Sequence, residues 1–446
     1  MGHGQSHSPA EPAPSPQATA LRRRANRLLL AVLVPLTLLT LAAMILMWPS
    51  GSRDGITLTN PTSGAPGATF ESGKIQRVIQ ASCTQGASQD AQGQSGSDCT
   101  YAFTEPDKGG SQVKVIINPD VAKSHGIKAG DNISYLDLTS SPGAAANQAT
   151  PQYIFVDFVR TVPILLLAIL YSVVVIAVAR WRGLRALIGL VGAFAVLAGF
   201  MLPGLVEGKP PLLLALVGST VIMIGMLYFA HGFSARTSTA LLGTMFGLGI
   251  TAVLAAWSTD AANLWGAGSS EASVLSNISG NISISGIILC GLIISGLGVL
   301  NDVTIAQSSS VWELYELAPE TSARNLFTSA MRIGRDHIAS TVYTIAFAYA
   351  GAALPIMILV MLYDRPLGEA LTSAEMSEEV VRTLVGSVGL VLAIPVTTAL
   401  AVLVVKATGT KGPVQPAASK GHNRARNTDT ATAPPEERDI RRPAPS

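Results

Sequence analysis

The sequence predicts an α-helical polytopic membrane protein with about eight transmembrane helices and a small β-rich extracytoplasmic domain between the first and second. Three observations carry this. Mean hydropathy is +0.41 and only 13% of the 446 residues are charged, against roughly 25% in a soluble domain. The apolar residues are gathered into runs of about 20, the length that crosses a bilayer. Residues 49–153, between the first two runs, are polar and rich in Gly and Ser. Together these exclude a fully soluble enzyme, a disordered chain, a collagen and a disulfide scaffold.

Residues 1–27 open with Pro, Ala, Ser and Gln and end in Arg22, Arg23, Arg24 and Arg27. They read as a disordered, basic cytoplasmic N-terminus. The first span, residues 28–48, is Leu28–Trp48. Its basic flank resembles a signal peptide, but it is long enough to cross the bilayer and no small-residue cleavage site follows, so it is expected to stay attached. In the extracytoplasmic domain, residues 49–153, Lys74–Ile79 and Val113–Ile117 read as strands. Alternation at Ile133, Tyr135 and Asp137 after a glycine-containing turn suggests a small barrel or sandwich. Cys83 and Cys99 bracket a polar segment. In an oxidising compartment they are expected to pair, contributing about 3 kcal/mol by chain entropy; the alternative is two free thiols. Cys290 stands alone in an apolar run.

Residues 154–405 form the expected seven-helix core. Its spans are Thr161–Val178, Ala186–Leu202, Leu212–Phe229, Thr239–Ala256, Ile284–Ile305, Ala339–Met361 and Val385–Val405. The loops with Arg180, Arg182 and Arg185, with Arg236, and the 306–338 segment then fall on one side with both termini, as the positive-inside rule requires of the cytoplasm. The 306–338 segment is expected to be an amphipathic cytoplasmic helix that starts near Ala318–Thr321. Pro355 and Pro395 are expected to kink their spans. Residues 406–446 read as a disordered cytoplasmic tail.

The candidate functional residues lie in this core. Asp302 sits at the end of the sixth span with Asn301, Thr304 and Gln307. An ionisable group at membrane depth costs about 2.5–3.5 kcal/mol on insertion scales, so it faces a cavity, a partner or the interface. Arg332, Asp336 and Ser340 share one helical face, where Arg332 and Asp336 can pair, with Arg335 and His337 beside them. Gly243 and Gly247 form a GxxxG in the fifth span, which suits close helix packing or a sliding surface. No phosphate loop, nucleophile elbow, dinucleotide fingerprint or metal motif is present, so the expectation is no enzyme, no cofactor and no metal site. The net charge of +2 gives nucleic acid no support.

Four stretches carry a family resemblance. One is Asp157–Arg160 with Arg182–Leu190. The second is His231–Phe233 with Ala240–Thr244. The third is Asn301–Ser309 with Trp312 and Glu313. The last is Ile333–Thr341 with Ala348–Gly351, Leu354 and Pro355. On these the chain resembles YibE/F-like multipass membrane proteins of the high-G+C Gram-positive type, over roughly 155–405. After Gly334–Asp336 it departs from the family's pattern at His337 and Ala339. The resemblance implies a bacterial plasma-membrane location and marks Asp302, Arg335 and Asp336 as motif positions; it implies no chemistry.

Two functions follow as expectations. The first is a permease for a small solute or ion with no nucleotide site of its own, using Asp302, Asn301, Gln307, Arg335 and Asp336. The second is a membrane scaffold for envelope assembly that holds a partner through residues 49–153. The implied partners are the bilayer, an envelope protein and a second copy of the chain. Convergence of Asp302, Arg335 and Asp336 on one cavity would favour transport, and their separation the scaffold.

Overall fold

The computed structural model describes residues 16–51, 68–82, 98–118, 121–122, 126–140, 152–266, 275, 282–362 and 366–408. Strands β1 (Thr69–Ser82), β2 (Asp98–Pro106), β3 (Val113–Ile117), β4 (Asn132–Asp137) and β5 (Tyr153–Phe158) close into a barrel in the order β1-β2-β3-β5-β4. Only the β3–β5 pair is parallel. This is the connectivity of a five-stranded Greek-key barrel of the OB type.

β1 makes closure possible because it serves two neighbours. Thr69–Lys74 pair with β4, Gly73–Ser82 pair with β2, and the register shifts between Ile75 and Arg77. Gly73 belongs to both pairings, and a Cβ there would lie 2.4 Å from the Glu105 carbonyl oxygen. Ile75, Ala102, Val115, Ile117, Ile133 and Tyr135 fill the interior. β2 escapes sequence reading because Cys99, Thr100, Tyr101, Ala102 and Thr104 are all buried, which leaves no polar alternation. β5 carries the barrel past the expected boundary at 153, to Phe158. Cys99 is disulfide-bonded; its expected partner, Cys83, lies outside the described residues.

The helical region comprises α1 (Pro16–Leu46), α2 (Thr161–Val196), a π-turn (Leu197–Met201), α3 (Leu202–Val206), α4 (Pro211–His231) and α5 (Ala235–Ala261). It continues through α6 (Ile284–Ser295), α7 (Leu297–Leu317), α8 (Ala323–Ala352), α9 (Leu354–Leu362), α10 (Leu367–Leu371) and α11 (Ala374–Thr408). Among the described residues, six segments are long and apolar enough to cross a membrane, or seven if α8 and α9, bent by 62°, form one span. Pro355 is the second residue of α9, at that bend.

The expected count of eight differs because Thr161–Val206 is one segment of 46 residues. A straight helix of that length would be about 69 Å long, more than twice the roughly 30 Å of a bilayer's hydrocarbon core. The segment is not straight. Arg180 has φ 51° and ψ −132°, and a Cβ on Gly183 would lie 2.5 Å from the Val175 carbonyl oxygen, eight residues back. A sharp kink at Arg180 brings those two together.

The 306–338 segment also differs from expectation. α7 continues to Leu317 because Gln307, Ser308, Val311 and Tyr315 keep burying one face. α8 then starts at Ala323, with the Ser322 hydroxyl accepting from the Asn325 N–H, not near Ala318. α4, α5, α6–α7 and α11 make the interior, while the leucines and valines of α2 between Val162 and Val178 face outward. That outward apolar surface suits lipid, not water.

The Leu46 end of α1 is tied to the core by a polar clamp. Lys209 Nζ donates to the carbonyl oxygens of Met47 and Trp48 at 2.9 and 2.7 Å and pairs with Glu207 at 3.2 Å. Glu207 in turn accepts from the Gly51 N–H at 2.7 Å and from Ser50. Burial pushes the Glu207 carboxyl up, but the hydrogen bonds from Ser50, Lys209 and Gly51 outweigh it and hold the group below the usual carboxylate range.

Candidate functional site

α5 is the axis of the interior. The Ser234 hydroxyl caps it by accepting from the Thr237 N–H at 3.1 Å. Along it Thr237, Thr244, Thr251 and Ser258 recur every seventh residue, and all four are buried. Seven residues are nearly two turns, with a drift of about 20°, so the four hydroxyls share one face. They are not orphans. Thr244 and Thr251 donate to the Ala240 and Gly247 carbonyls at 2.9 Å, and Ser258 to Ala255 at 3.2 Å. A helix can thus carry hydroxyls through an apolar layer with its own carbonyls as partners.

Glycines bring neighbouring helices onto this face. A Cβ on Gly243 would lie 2.0 Å from Thr397 Oγ1 of α11, and one on Gly389 of α11 would lie 2.0 Å from Thr251 Oγ1. A Cβ on Gly247 would lie 2.6 Å from Leu300 Cδ2 and 2.9 Å from Ala393 Cβ. α7 closes on the stripe as well: Thr304 and Thr244 share a hydrogen bond of 2.6 Å.

Next to it, the buried Gln307 joins three helices. Its Nε2 donates to the Ala330 carbonyl of α8 at 2.9 Å and to Thr398 Oγ1 of α11 at 2.8 Å. A Cβ on Gly334 would sit 3.1 Å from Gln307 Oε1. Ser308 donates to the Arg236 carbonyl at 2.9 Å. Asn301 Oδ1 is buried with no hydrogen-bond partner.

The charged candidates lie off this seam. α7 buries Leu300, Val303, Thr304, Gln307 and Ser308, which turns Asp302 to the exposed side. α8 buries Leu326, Ala330 and Gly334, and Arg335 and Asp336 are exposed. Arg332 and Asp336 form no ion pair, since both point away from the packed face. The neutral members of the expected cluster, Asn301 and Gln307, therefore face the interior, and the charged members do not. Asp302, Arg335 and Asp336 are exposed and line neither the cavity at the Ala261 end of α5 nor the one between α1 and α4. This is the separation expected to favour a scaffold, so a transport reading has to rest on the neutral groups of the seam. Among the described residues no group of His, Cys, Asp or Glu could hold a metal.

Two features were not read from sequence. The hydroxyl stripe was legible in the spacing 237, 244, 251 and 258, but threonines scattered in a span look like ordinary packing residues. At the Ala261 end of α5 a cavity of about 500 Å³ is lined by Thr259, Asp260, Asn263, Ser283 and Ser285. Thr259 Oγ1 there is buried without a partner. Nothing in the sequence joins residues 259–263 to 283–285, because only the fold brings the end of α5 to the start of α6.

Residues 167–407, more than half the chain, match the model of the YibE/F-like protein family. The chain belongs to the YibE/F-like family. No curated protein and no solved structure matches it. Three of the four stretches on which the YibE/F-like resemblance rests meet at the seam. Thr244 comes from the second, Asn301, Thr304 and Gln307 from the third, and Gly334 from the fourth. The barrel and α1 precede the YibE/F-like match.

Proposed function

We propose that this YibE/F-like protein is a permease that moves a small polar solute or ion along the hydroxyl face of α5, with no nucleotide site of its own; the structure has this face closed by α7 and α11, which part from it for passage. The observation that carries the reading is the stripe from Thr237 to Ser258. Over 21 residues it extends about 31 Å, the thickness of the hydrocarbon core. The Gln307–Thr398 seam and the partnerless Asn301 Oδ1 lie beside it, and the 500 Å³ cavity opens at one end. In this reading the chain sits in a bacterial plasma membrane with both termini in the cytoplasm, and the two arms of Thr161–Val206 count as two of eight spans. The test is flux into proteoliposomes for a panel of small solutes and ions. Thr244→Val and Gln307→Leu should insert normally and lose flux, while Asp302→Asn and Asp336→Asn, off the seam, should keep it. Absence of wild-type flux across the panel, or equal flux in all four variants, overturns the reading.

A second reading, an envelope scaffold, has its own support. On the outer face of the barrel Arg77 lies over the Phe103 ring at 4.1 Å and Lys114 over the Tyr101 ring at 3.8 Å. Arg77, Phe103 and Lys114 are in register across three strands. This face suits an acidic protein segment. Cross-linking from the barrel should capture such a partner, and the Arg77→Glu/Lys114→Glu double variant should abolish the capture. Capture that the double variant leaves unchanged removes this support.

A further inference from the structure

A cavity of about 920 Å³ opens between α1, α4 and the start of α5, within the usual size of a ligand site. Leu30, Val34 and Leu38 of α1 and Ile224 and Phe229 of α4 supply apolar walls. Leu30, Leu38 and Phe229 remain 58%, 61% and 46% exposed, so the cavity is open along its side as well as at its end. Its length along α1, from Asn26 to Leu38, is about 18 Å, against about 15 Å for one leaflet of a hydrocarbon core.

The polar groups gather at one end. Arg185 lines the cavity there with Asn26 and Ser234. Arg185 is half-buried and lies over the Trp181 ring at 5.7 Å, and among the described residues no carboxylate pairs with it. Arg182 lies about one helical turn before Arg185 and Arg236 directly follows the lining residue Ala235, so basic residues gather at this end. The Tyr228 and Ser238 hydroxyls bond each other at 3.1 Å. The result is an apolar slot, open to the side, with an unpaired guanidinium at its mouth.

We propose that this cavity holds a phospholipid with an anionic headgroup, its acyl chain against α1 and α4 and its phosphate on Arg185. A planar guanidinium forms paired, charge-assisted hydrogen bonds with phosphate oxygens. Basic pockets between spans on the cytoplasmic side are where anionic headgroups bind. Both requirements meet here in one place, and a soluble anion alone would leave the apolar wall unused. The inference is independent of the transport reading, since lipid retention needs no flux.

Gly225 gives a clean test. It lines the cavity, and a Cβ there would have no atom within 4 Å, so Gly225→Leu starts in open space and should narrow the slot. The full-length protein is placed in nanodiscs of mixed phosphatidylglycerol and phosphatidylcholine, re-extracted in detergent, and its retained lipid measured by mass spectrometry. Wild type should retain phosphatidylglycerol preferentially. Arg185→Gln should lower that preference about tenfold, as the loss of a charged hydrogen bond implies. Gly225→Leu should lower retention of both lipids. Gly192→Leu, also in open space but outside the cavity, should change neither. Thermal shift with added phosphatidylglycerol, phosphatidylcholine or inorganic phosphate separates the sources. Equal stabilisation by inorganic phosphate overturns the proposal, as does a wild type with no lipid preference or unchanged retention in both cavity variants.

Discussion

Gln307 of α7 fills the space that a side chain on Gly334 of α8 would need. A Cβ on Gly334 would lie 3.1 and 3.2 Å from the two amide heavy atoms of Gln307 and 2.9 Å from Ile394 Cγ2. Gly334→Ala should therefore destabilise the protein by about 1–3 kcal/mol, the usual effect of overpacking. Gln307→Ala in the same chain should return part of that loss, a coupling expected between contacting residues. Thermal unfolding of the two single variants and the double in detergent measures it. Strict additivity would show that Gln307 is not the obstacle.

The approach of α5 and α11 depends on two glycines. Gly243→Ala and Gly389→Ala each place a methyl group within 2.0 Å of a threonine hydroxyl, and each should destabilise by about 1–3 kcal/mol. Gly249, on the same α5, has no atom within 4 Å of its Cβ position, so Gly249→Ala should stay within about 0.5 kcal/mol of wild type. Melting temperatures in one detergent compare the three. Equal effects at Gly249 and Gly243 would contradict the close approach.

These contrasts show what could be read from the residues alone. The apolar runs located the apolar helices, because a bilayer sets their length, but not their count, since Thr161–Val178 and Ala186–Leu202 belong to one 46-residue segment and α8 and α9 qualify only as a bent pair. Val113–Ile117 was readable as a strand because its buried and exposed residues alternate. β2 was not, since nearly every one of its residues is covered. Asn301 and Gln307 stood out with Asp302, yet only the turn-by-turn geometry of α7 separates the two that face inward from the one that faces out. Helical phase cannot be fixed without knowing which neighbours pack on which face.

The Glu207 clamp predicts a pH effect with a definite sign. Its folded carboxyl is held below the usual range by Ser50, Lys209 and Gly51 against the opposing effect of burial. The stabilisation is then present above the ordinary glutamate value, about 4.3, and is lost as pH falls through the lower folded value. Glu207→Gln should lower the melting temperature at pH 7, and its difference from wild type should shrink at pH 3. A difference that does not change with pH would mean that the carboxylate charge is not what holds the clamp.

Tyr135 acts at the opposite extreme. Burial in the barrel pushes its hydroxyl from the ordinary 10.0 up to about 12, with the charge of Glu71 adding to the effect. The unfolded chain ionises first. The stabilisation is therefore whole below pH 10 and lost as pH rises to about 12. Tyr135→Phe cannot ionise, so the stability difference between wild type and variant should fall between pH 10 and 12. Denaturation midpoints across that range report it. A constant difference would show that Tyr135 titrates like a free tyrosine.

The kink at Arg180 orients everything that follows it. One residue with φ 51° bends the chain, and the segment beyond it ends where Met201 meets Gly218 of α4, whose Cβ position is 2.5 Å from the Met201 sulfur. Each helical residue advances the chain by about 100° around its axis. Inserting or deleting a single residue next to Arg180 should therefore rotate the helix from Trp181 to Val196 by that angle and move Met201 off its seat. The kink thus works as an indexing mark for that helix, and a length change there should cost more stability than one in an ordinary surface loop.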